Sequence, residues 1–198
     1  MLVTTDAIVL SLQPQSDKAH VLHAYTRAGG RVNYKVYGIG RKHPIGLYTP
    51  LSLIQITASC PPNGVPTLKE TTLSPFTSHH SPFTDDPYKR TIALFISEIL
   101  YHVLRHPMPD EPMFEFLVHA VQELDETAEP QNFHLQFLID FAAELGFAIP
   151  ETTNPLISNP KTRKARQETL RTLCNYFSEH VETFQTPRSL DVLMEVFD

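Results

Sequence analysis

The spacing of apolar residues changes near residue 80, and this change constrains the fold more than any other feature of the sequence. Before it, apolar and polar residues alternate, as around Ile8, Leu10 and Leu12, which predicts β-strands because alternate side chains share a face. After it, apolar residues recur at the helical spacing of about 3.6. The segment between them, Ser74 to Pro87, is rich in Pro, Ser, Thr and His, which indicates a domain boundary.

The fold class predicted from these patterns is α+β, with an all-β domain followed by an all-α domain. Five strands, basic and poor in helix formers, are typical of a small closed barrel such as an OB-fold. One of them is predicted over Leu47 to Ser59. Helix start signals and apolar stripes in the second half predict a compact helical bundle. We expect an OB-fold domain over residues 1–78, a linker over 79–86 and a helical domain over 87–198. The predicted helices begin near Pro87, Asp110, Asn132, Lys161 and Ser189. Carboxylates are predicted to cap the first two, and Ser189 is predicted to cap the last.

The net charge of -6 is divided unevenly between the two halves. Residues 1–80 contain seven Lys and Arg against three Asp and Glu, a net charge of +4, so the remainder carries -10. A field with this asymmetry can orient a nucleic acid onto one end of the molecule. No apolar run approaches the roughly 18 residues of a transmembrane helix, and the first residues lack the basic start of a secretory signal. We therefore expect a cytoplasmic protein that has no membrane partner.

The strongest candidate for a functional site is the basic stretch from Thr26 to Lys42, in which two strand-like runs meet at a Gly29-Gly30 turn. In the second run, Arg31, Lys35 and Tyr37 project from one face, and three alternate positions are apolar. Phosphates bind cations and an exposed base can stack on a ring, so this pattern favours nucleic acid. The residues predicted to contact DNA are Arg27, Arg31, Lys35, Tyr37, Arg41 and Lys42. The alternative is a hairpin whose outer face is merely solvated.

The sequence contains none of the motifs that would indicate an enzyme or a cofactor site. GxxxxGK[ST], HExxH and GxSxG are all missing, and the residues after Gly38-Ile39-Gly40 do not complete a dinucleotide-binding motif. The two cysteines, Cys60 and Cys174, lie too far apart in the sequence to form a CxxC metal site, and the histidines are scattered apart from His79-His80. We expect no catalytic residues, no metal and no cofactor.

Several short motifs follow one another along most of the chain. They are Ala7-Ile8-Val9-Leu10, Ser16-Asp17-Lys18, Gly38-Ile39-Gly40-Arg41-Lys42, Tyr48-Thr49-Pro50-Leu51, Ala93-Leu94-Phe95-Ile96-Ser97-Glu98-Ile99-Leu100-Tyr101, Phe114-Glu115-Phe116-Leu117 and Asn132-Phe133-His134-Leu135-Gln136-Phe137-Leu138. In this order and spacing, the chain resembles the RecO recombination mediators of bacterial DNA repair.

The resemblance implies an N-terminal OB-fold followed by a helical domain, in agreement with the apolar patterns. It also implies binding of single- and double-stranded DNA, annealing of strands coated by single-stranded DNA-binding protein (SSB), and action with RecR to help RecA load. Many members of the family have a four-cysteine zinc site in the C-terminal domain. With only Cys60 and Cys174 present, we expect that site to be absent. The chain is also shorter than is usual in the family, and Pro150 to Pro160 is interpreted as a reduced loop.

The helical half, although acidic overall, has a basic cluster at the start of its fourth helix: Arg163, Lys164 and Arg166. Cations at a helix N-terminus oppose the helix dipole, which suggests another role for them. The resemblance implies SSB as a partner, and its acidic, aromatic-tipped tail needs an apolar pocket with a basic rim. We predict that this cluster forms the rim; the alternative is a solvated first turn.

A different class of function is also compatible with the sequence. An OB-like barrel can bind a protein or peptide instead of DNA, and the helical domain would then provide a docking surface for an interaction scaffold. Salt dependence separates the two hypotheses. DNA binding weakens steeply with ionic strength, whereas binding at an apolar protein interface barely changes.

Overall fold

The N-terminal half of the protein is a closed five-stranded barrel. The computed structural model describes residues 1–77, 83, 86–150 and 160–196. The strands are β1 Leu2–Ser16, β2 Ala19–Thr26, β3 Gly30–Tyr37, β4 Leu53–Ser59 and β5 Thr67–Leu73. Their order around the barrel is β1-β2-β3-β5-β4, and β4 pairs with β1 to close it. Strands β3 and β5 pair in parallel and the other pairs are antiparallel, so the predicted OB-fold is confirmed.

Two features of the barrel differ from the sequence prediction. The strand predicted from Leu47 begins only at Leu53, because Ile45–Tyr48 forms a 3-10 helix whose Tyr48 hydroxyl lies 2.7 Å from Thr71 Oγ1. In β1, the register skips Leu10, which marks a β-bulge. The bulge reverses the alternation along the strand. Leu10 therefore packs against the helices, whereas Leu12, two residues on, packs against the barrel core.

Five helices follow the barrel among the described residues: α1 Pro87–Val103, α2 Glu111–Glu126, α3 Phe133–Glu144, α4 Arg163–His180 and α5 Leu190–Val196. Asp86 caps α1 and Asp110 caps α2 through their carboxylates, as the sequence predicts. Helix α4 is capped by Thr162, whereas the sequence prediction placed its start near Lys161 and named no cap. Ser189, predicted as the cap of α5, instead donates its hydroxyl to Glu98 at 2.7 Å and so ties the start of α5 to α1.

The barrel and the helices share one hydrophobic core. The inside of the barrel has its own cluster, but outward-facing residues of the barrel join the buried side chains of the helices. These residues are Ile8, Leu10, Tyr25, Leu51 and Leu53. The aromatic stripe of α3 is part of this core, since Phe137 and Phe141 are buried and stack on Phe116. The helical half therefore covers one side of the barrel and leaves another side open.

Parts of two predicted segments cannot be compared with the structure. Apart from residues 83 and 86, the predicted linker 79–86 lies outside the described residues. The same holds for residues 151–159 of the predicted reduced loop. Of the helices that are described, none is both long and apolar enough to cross a membrane.

Candidate nucleic-acid interface

The open side of the barrel is formed by the outer face of β2 and β3. In β3, Tyr34 and Val36 fill the barrel interior, and the alternate residues project outward. Lys35 lies opposite Val21 of β2, and Tyr37 lies opposite Ala19 with 49% of its surface exposed. Among the described residues, Lys35 has no ion-pair partner. This end of the face therefore presents an uncompensated cation beside an accessible ring.

The loop that follows β3 adds two cations next to Tyr37. The Gly38 carbonyl accepts hydrogen bonds from the backbone amides of Arg41 and Lys42 at 3.0 and 2.9 Å, which closes a tight turn. Gly38 and Gly40 have φ values of 80° and 81°, a left-handed conformation that favours glycine. The turn leaves the side chains of Arg41 and Lys42 exposed, and neither forms an ion pair within the part of the chain that is described.

His43 anchors this loop to the barrel. Its side chain is buried and its ring centre lies 6.4 Å from that of Tyr48 in the 3-10 helix. Burial, together with the nearby charge of Lys42, lowers the pKa of His43 below its ordinary value. A neutral imidazole can therefore fill the end of the barrel while the adjacent cations point into solvent.

Arg31 lies at the opposite end of β3, against the helical domain. Its guanidinium stacks 4.2 Å from the centre of the Tyr101 ring and donates to the Tyr101 carbonyl at 3.0 Å. Its backbone amide donates to the His106 carbonyl at 3.1 Å. Tyr37 lies six positions after Arg31, which places the two about 20 Å apart along the strand. Sequence alternation correctly put Arg31 on the outer face, but at this position the outer face is covered.

Arg27 also connects the barrel to the helices. Its guanidinium pairs with Glu111 and with Glu115 of α2, the latter at 2.6 Å, and lies 4.6 Å from the centre of the Phe114 ring. A further carboxylate, Asp6 of β1, is 4.0 Å away. The structure therefore separates the six predicted DNA residues into two groups. Lys35 and Tyr37 lie on the open face and Arg41 and Lys42 lie in the exposed loop that follows it, whereas Arg27 and Arg31 lie at the interdomain contact.

Gly30 has a packing role that the sequence pattern did not predict. The residue has a φ of 60°, and a Cβ atom there would overlap the Met108 carbonyl and lie 2.8 Å from the His106 oxygen. The turn between β2 and β3 is therefore pressed against the segment between α1 and α2. Lys18, which is not among the predicted DNA residues, is exposed immediately before Ala19, the partner of Tyr37. Its position in the β1–β2 loop is the signal that could have identified it, because this loop commonly contributes to OB-fold ligand sites.

The predicted docking cluster of α4 is only partly free to bind a partner. Arg163 Nε donates to the Met194 carbonyl in α5 at 3.1 Å, and Arg166 Nη1 donates to the Lys161 carbonyl at 3.1 Å. Lys164 is exposed and lies 4.0 Å from Glu168. Arg163 and Arg166 border a shallow depression between α4 and α5. Its volume is about 10 Å³, room for about one water molecule, so an aromatic ring does not fit without movement of the lining.

The described residues contain no group of three or more His, Cys, Asp or Glu side chains arranged to hold a metal ion. Cys60 and Cys174 are both free thiols.

A closed OB-fold barrel with a basic outer face, an exposed aromatic ring and an adjacent basic loop is the architecture of an oligonucleotide-binding protein. Comparison with known proteins agrees with this class. The family model for the C-terminal part of recombination protein O matches residues 84–155. The DNA repair protein RecO of Flavobacterium psychrophilum is 30% identical over 241 aligned positions that cover all of both chains. The RecO protein of Flavobacterium johnsoniae is 29% identical over 240 positions, again covering both chains completely.

The RecO protein of Phocaeicola vulgatus is 36% identical over 152 positions, which cover 74% of this chain and 61% of that protein. The chain belongs to the RecO family of DNA repair proteins. The alignments with the two Flavobacterium proteins span more positions than the 198 residues of this chain, so those relatives contain residues that have no counterpart here.

Proposed function

We propose that this protein binds single- and double-stranded DNA on the outer face of β2 and β3 and on the loop 38–43. We further propose that it anneals strands coated by SSB and acts with RecR to help RecA load. The observation that carries the DNA-binding proposal is the sequence of Lys35 and Tyr37 on the open face and Arg41 and Lys42 in the exposed loop directly after it. Membership of the RecO family supports the roles in annealing and RecA loading.

The chemistry of this face suits binding that is independent of sequence. Exposed cations neutralise phosphates and release condensed counterions, which contributes affinity for any strand. A base stacked on Tyr37 is held through its π-face, and every base has one. Stacking leaves the Watson–Crick edge of the base free. A strand bound in this way can therefore still pair with a complementary strand, which is what annealing requires.

The test is the double variant Arg41→Ala/Lys42→Ala, measured by fluorescence anisotropy with labelled single-stranded and duplex DNA at several salt concentrations. Losing two phosphate contacts should weaken binding to both forms and lower the magnitude of the salt slope by roughly 1 to 2 units. The matched control is Lys161→Ala/Lys164→Ala, which removes the same charge from exposed positions on the helical half. Equal slopes for the two double variants would place the DNA site elsewhere. Wild-type binding that is insensitive to salt would favour the protein-interaction scaffold.

For the SSB tail, we propose docking at the depression between α4 and α5. Leu170, Leu193 and Met194 provide an apolar lining, and Arg163 and Arg166 provide cations for an acidic peptide. The flexible side chain of Met194 is the part of the lining that can most readily move to admit a ring.

Isothermal titration of a tail peptide into the intact protein tests this docking site. The variant Lys164→Ala/Arg166→Ala should weaken binding, whereas Lys89→Ala/Arg90→Ala, at the start of α1, should not. Arg163 is left unchanged in these variants because its bond to Met194 contributes to the packing of α5. Undiminished binding by the α4 variant would exclude this site.

A further inference from the structure

A cleft of about 700 Å³ lies between the barrel and the helical domain, beside the proposed DNA face. One wall is the second half of β1 together with the 3-10 helix, and the other is α1 with the segment that precedes α5. Its lining includes Ser11, Gln13, Glu98, Tyr101, His102 and Arg188. A volume of this size is within the usual range of small-molecule sites, roughly 300 to 1,000 Å³.

Strand register connects this cleft to the open face of the barrel. Lys35 of β3 lies opposite Val21 of β2, and Val21 lies opposite Gln13 of β1. Directly opposed residues project from the same face of a sheet, so these three side chains form one row. The row spans two interstrand spacings, about 10 Å, and ends at the cleft. A nucleic-acid strand crossing the face from β3 to β1 is thus led to the mouth of the cleft.

The cleft combines apolar walls with polar atoms that have no partner. Ser11 Oγ and His102 Nδ1 are buried, and neither has a hydrogen-bond partner among the described residues. Leu94 and Ile45 line the same space and keep 37% and 67% of their surface exposed. Flat apolar faces with polar edges are the chemistry of a nucleobase. Buried polar groups normally have partners. Because Ser11 and His102 both line the cleft, rotation of either side chain brings its unpaired atom to a ligand bound there.

The charges around the cleft favour an anionic ligand. Burial lowers the pKa of His102, and the charges of Arg105, Arg31 and Arg188 lower it further. Glu98 is the carboxylate that opposes them. One oxygen of Glu98 is already occupied by the amide and the hydroxyl of Ser189, at 3.0 and 2.7 Å. Three guanidinium groups against one engaged carboxylate produce a positive local field, which attracts phosphate.

We propose that this cleft is a second subsite for single-stranded nucleic acid, in which a nucleotide of a strand crossing the barrel face inserts between the two domains. On binding, the side chains of Ser11 and His102 rotate to contact the edge of the base, and Arg188 contacts a neighbouring phosphate. A paired base cannot enter, so the subsite selects unpaired strands. The inference rests on the proposed DNA-binding function and extends the site from the barrel into the interdomain space.

The natural chain contains no tryptophan, so one introduced tryptophan is a unique reporter. Gln185 is exposed and lines the cleft, and Gln185→Trp places the indole there. Gln136→Trp, exposed on α3, is the matched control. Oligothymidylate should quench the Gln185→Trp emission over the concentration range in which anisotropy reports binding, and it should leave the Gln136→Trp emission unchanged.

A second measurement does not depend on the reporter variant folding. Arg188→Ala should lower the salt slope for a long oligothymidylate by about one unit, and Arg171→Ala, on the outside of α4, should leave it unchanged. DNA binding without quenching and without an Arg188 effect overturns the cleft subsite and leaves the proposed function standing. Absence of DNA binding by the wild-type protein overturns the proposed function itself. Quenching by an acidic peptide but not by oligothymidylate identifies a peptide site and overturns the inference.

Discussion

Replacing Gly30 by alanine should destabilise the protein more than any other glycine-to-alanine change in the barrel loops. Gly30 has a φ of 60°, and a left-handed conformation costs an L-residue about 1 to 2 kcal/mol. Alanine recovers about 0.4 to 1 kcal/mol of this by restricting the unfolded chain. The new Cβ atom would also overlap the backbone carbonyls of His106 and Met108, and overpacking of this kind costs about 1 to 3 kcal/mol. The expected loss is about 1 to 4.5 kcal/mol.

Gly40→Ala is the matched control for this effect. Gly40 has a similar positive φ of 81°, but apart from its two neighbours in the chain no described residue has an atom within 4 Å of the position that a Cβ would take. Its substitution carries only the conformational cost, about 1 kcal/mol. Urea denaturation followed by circular dichroism gives both free energies of unfolding. Equal losses for the two variants would refute the close contact between the β2–β3 turn and the segment joining α1 to α2.

Three further predictions concern the face, the core and metal content. Tyr37→Ala should weaken single-stranded DNA binding by roughly 1 to 3 kcal/mol and duplex binding by less, as measured by anisotropy; equal losses would indicate a packing role. Burial, and to a lesser extent the charge of Arg166, lowers the pKa of His134 to about 3, so this ring is neutral when folded and protonates near 6.5 when unfolded. Its contribution to stability is complete above pH 6.5 and is lost as the pH falls toward 3, by at most about 1.4 kcal/mol per pH unit, and His134→Phe should reduce this acid sensitivity in urea titrations. EDTA should leave the melting temperature unchanged, and elemental analysis should find no stoichiometric zinc; a lowered melting temperature would redirect attention to the histidines.

The order and type of the secondary structure could be predicted because they depend on local patterns. Alternation and turn residues identified the strands, and carboxylates that precede apolar stripes identified the starts of α1 and α2. The bulge at Leu10 was not predictable in this way. It depends on the pairing of β1 with β2, which brings together residues from two strands rather than a pattern within one.

The roles of Arg27 and Arg31 could not be read from alternation, because an outward side chain is solvent-exposed only where nothing covers the barrel. One sequence feature did indicate that a second domain packs on the barrel. Ala7, Ile8, Val9 and Leu10 form a continuous apolar run, and all four are buried. Such a run is expected of a strand buried on both faces, and it indicated that another domain packs against the barrel near β1. Which cations lie under that domain depends on the tertiary arrangement.

The position of bound DNA can be mapped directly by photo-cross-linking. A single-stranded oligonucleotide containing 4-thiothymidine is irradiated on the intact protein, and the cross-linked peptides are identified by mass spectrometry after trypsin digestion. Trypsin cleaves after Lys35 and Arg41, so the peptide of residues 36–41 contains Tyr37 and reports on the open face. We expect cross-links to this peptide and a decrease with increasing salt. Cross-links confined to peptides of the helical domain would contradict the assignment of the DNA site to the barrel.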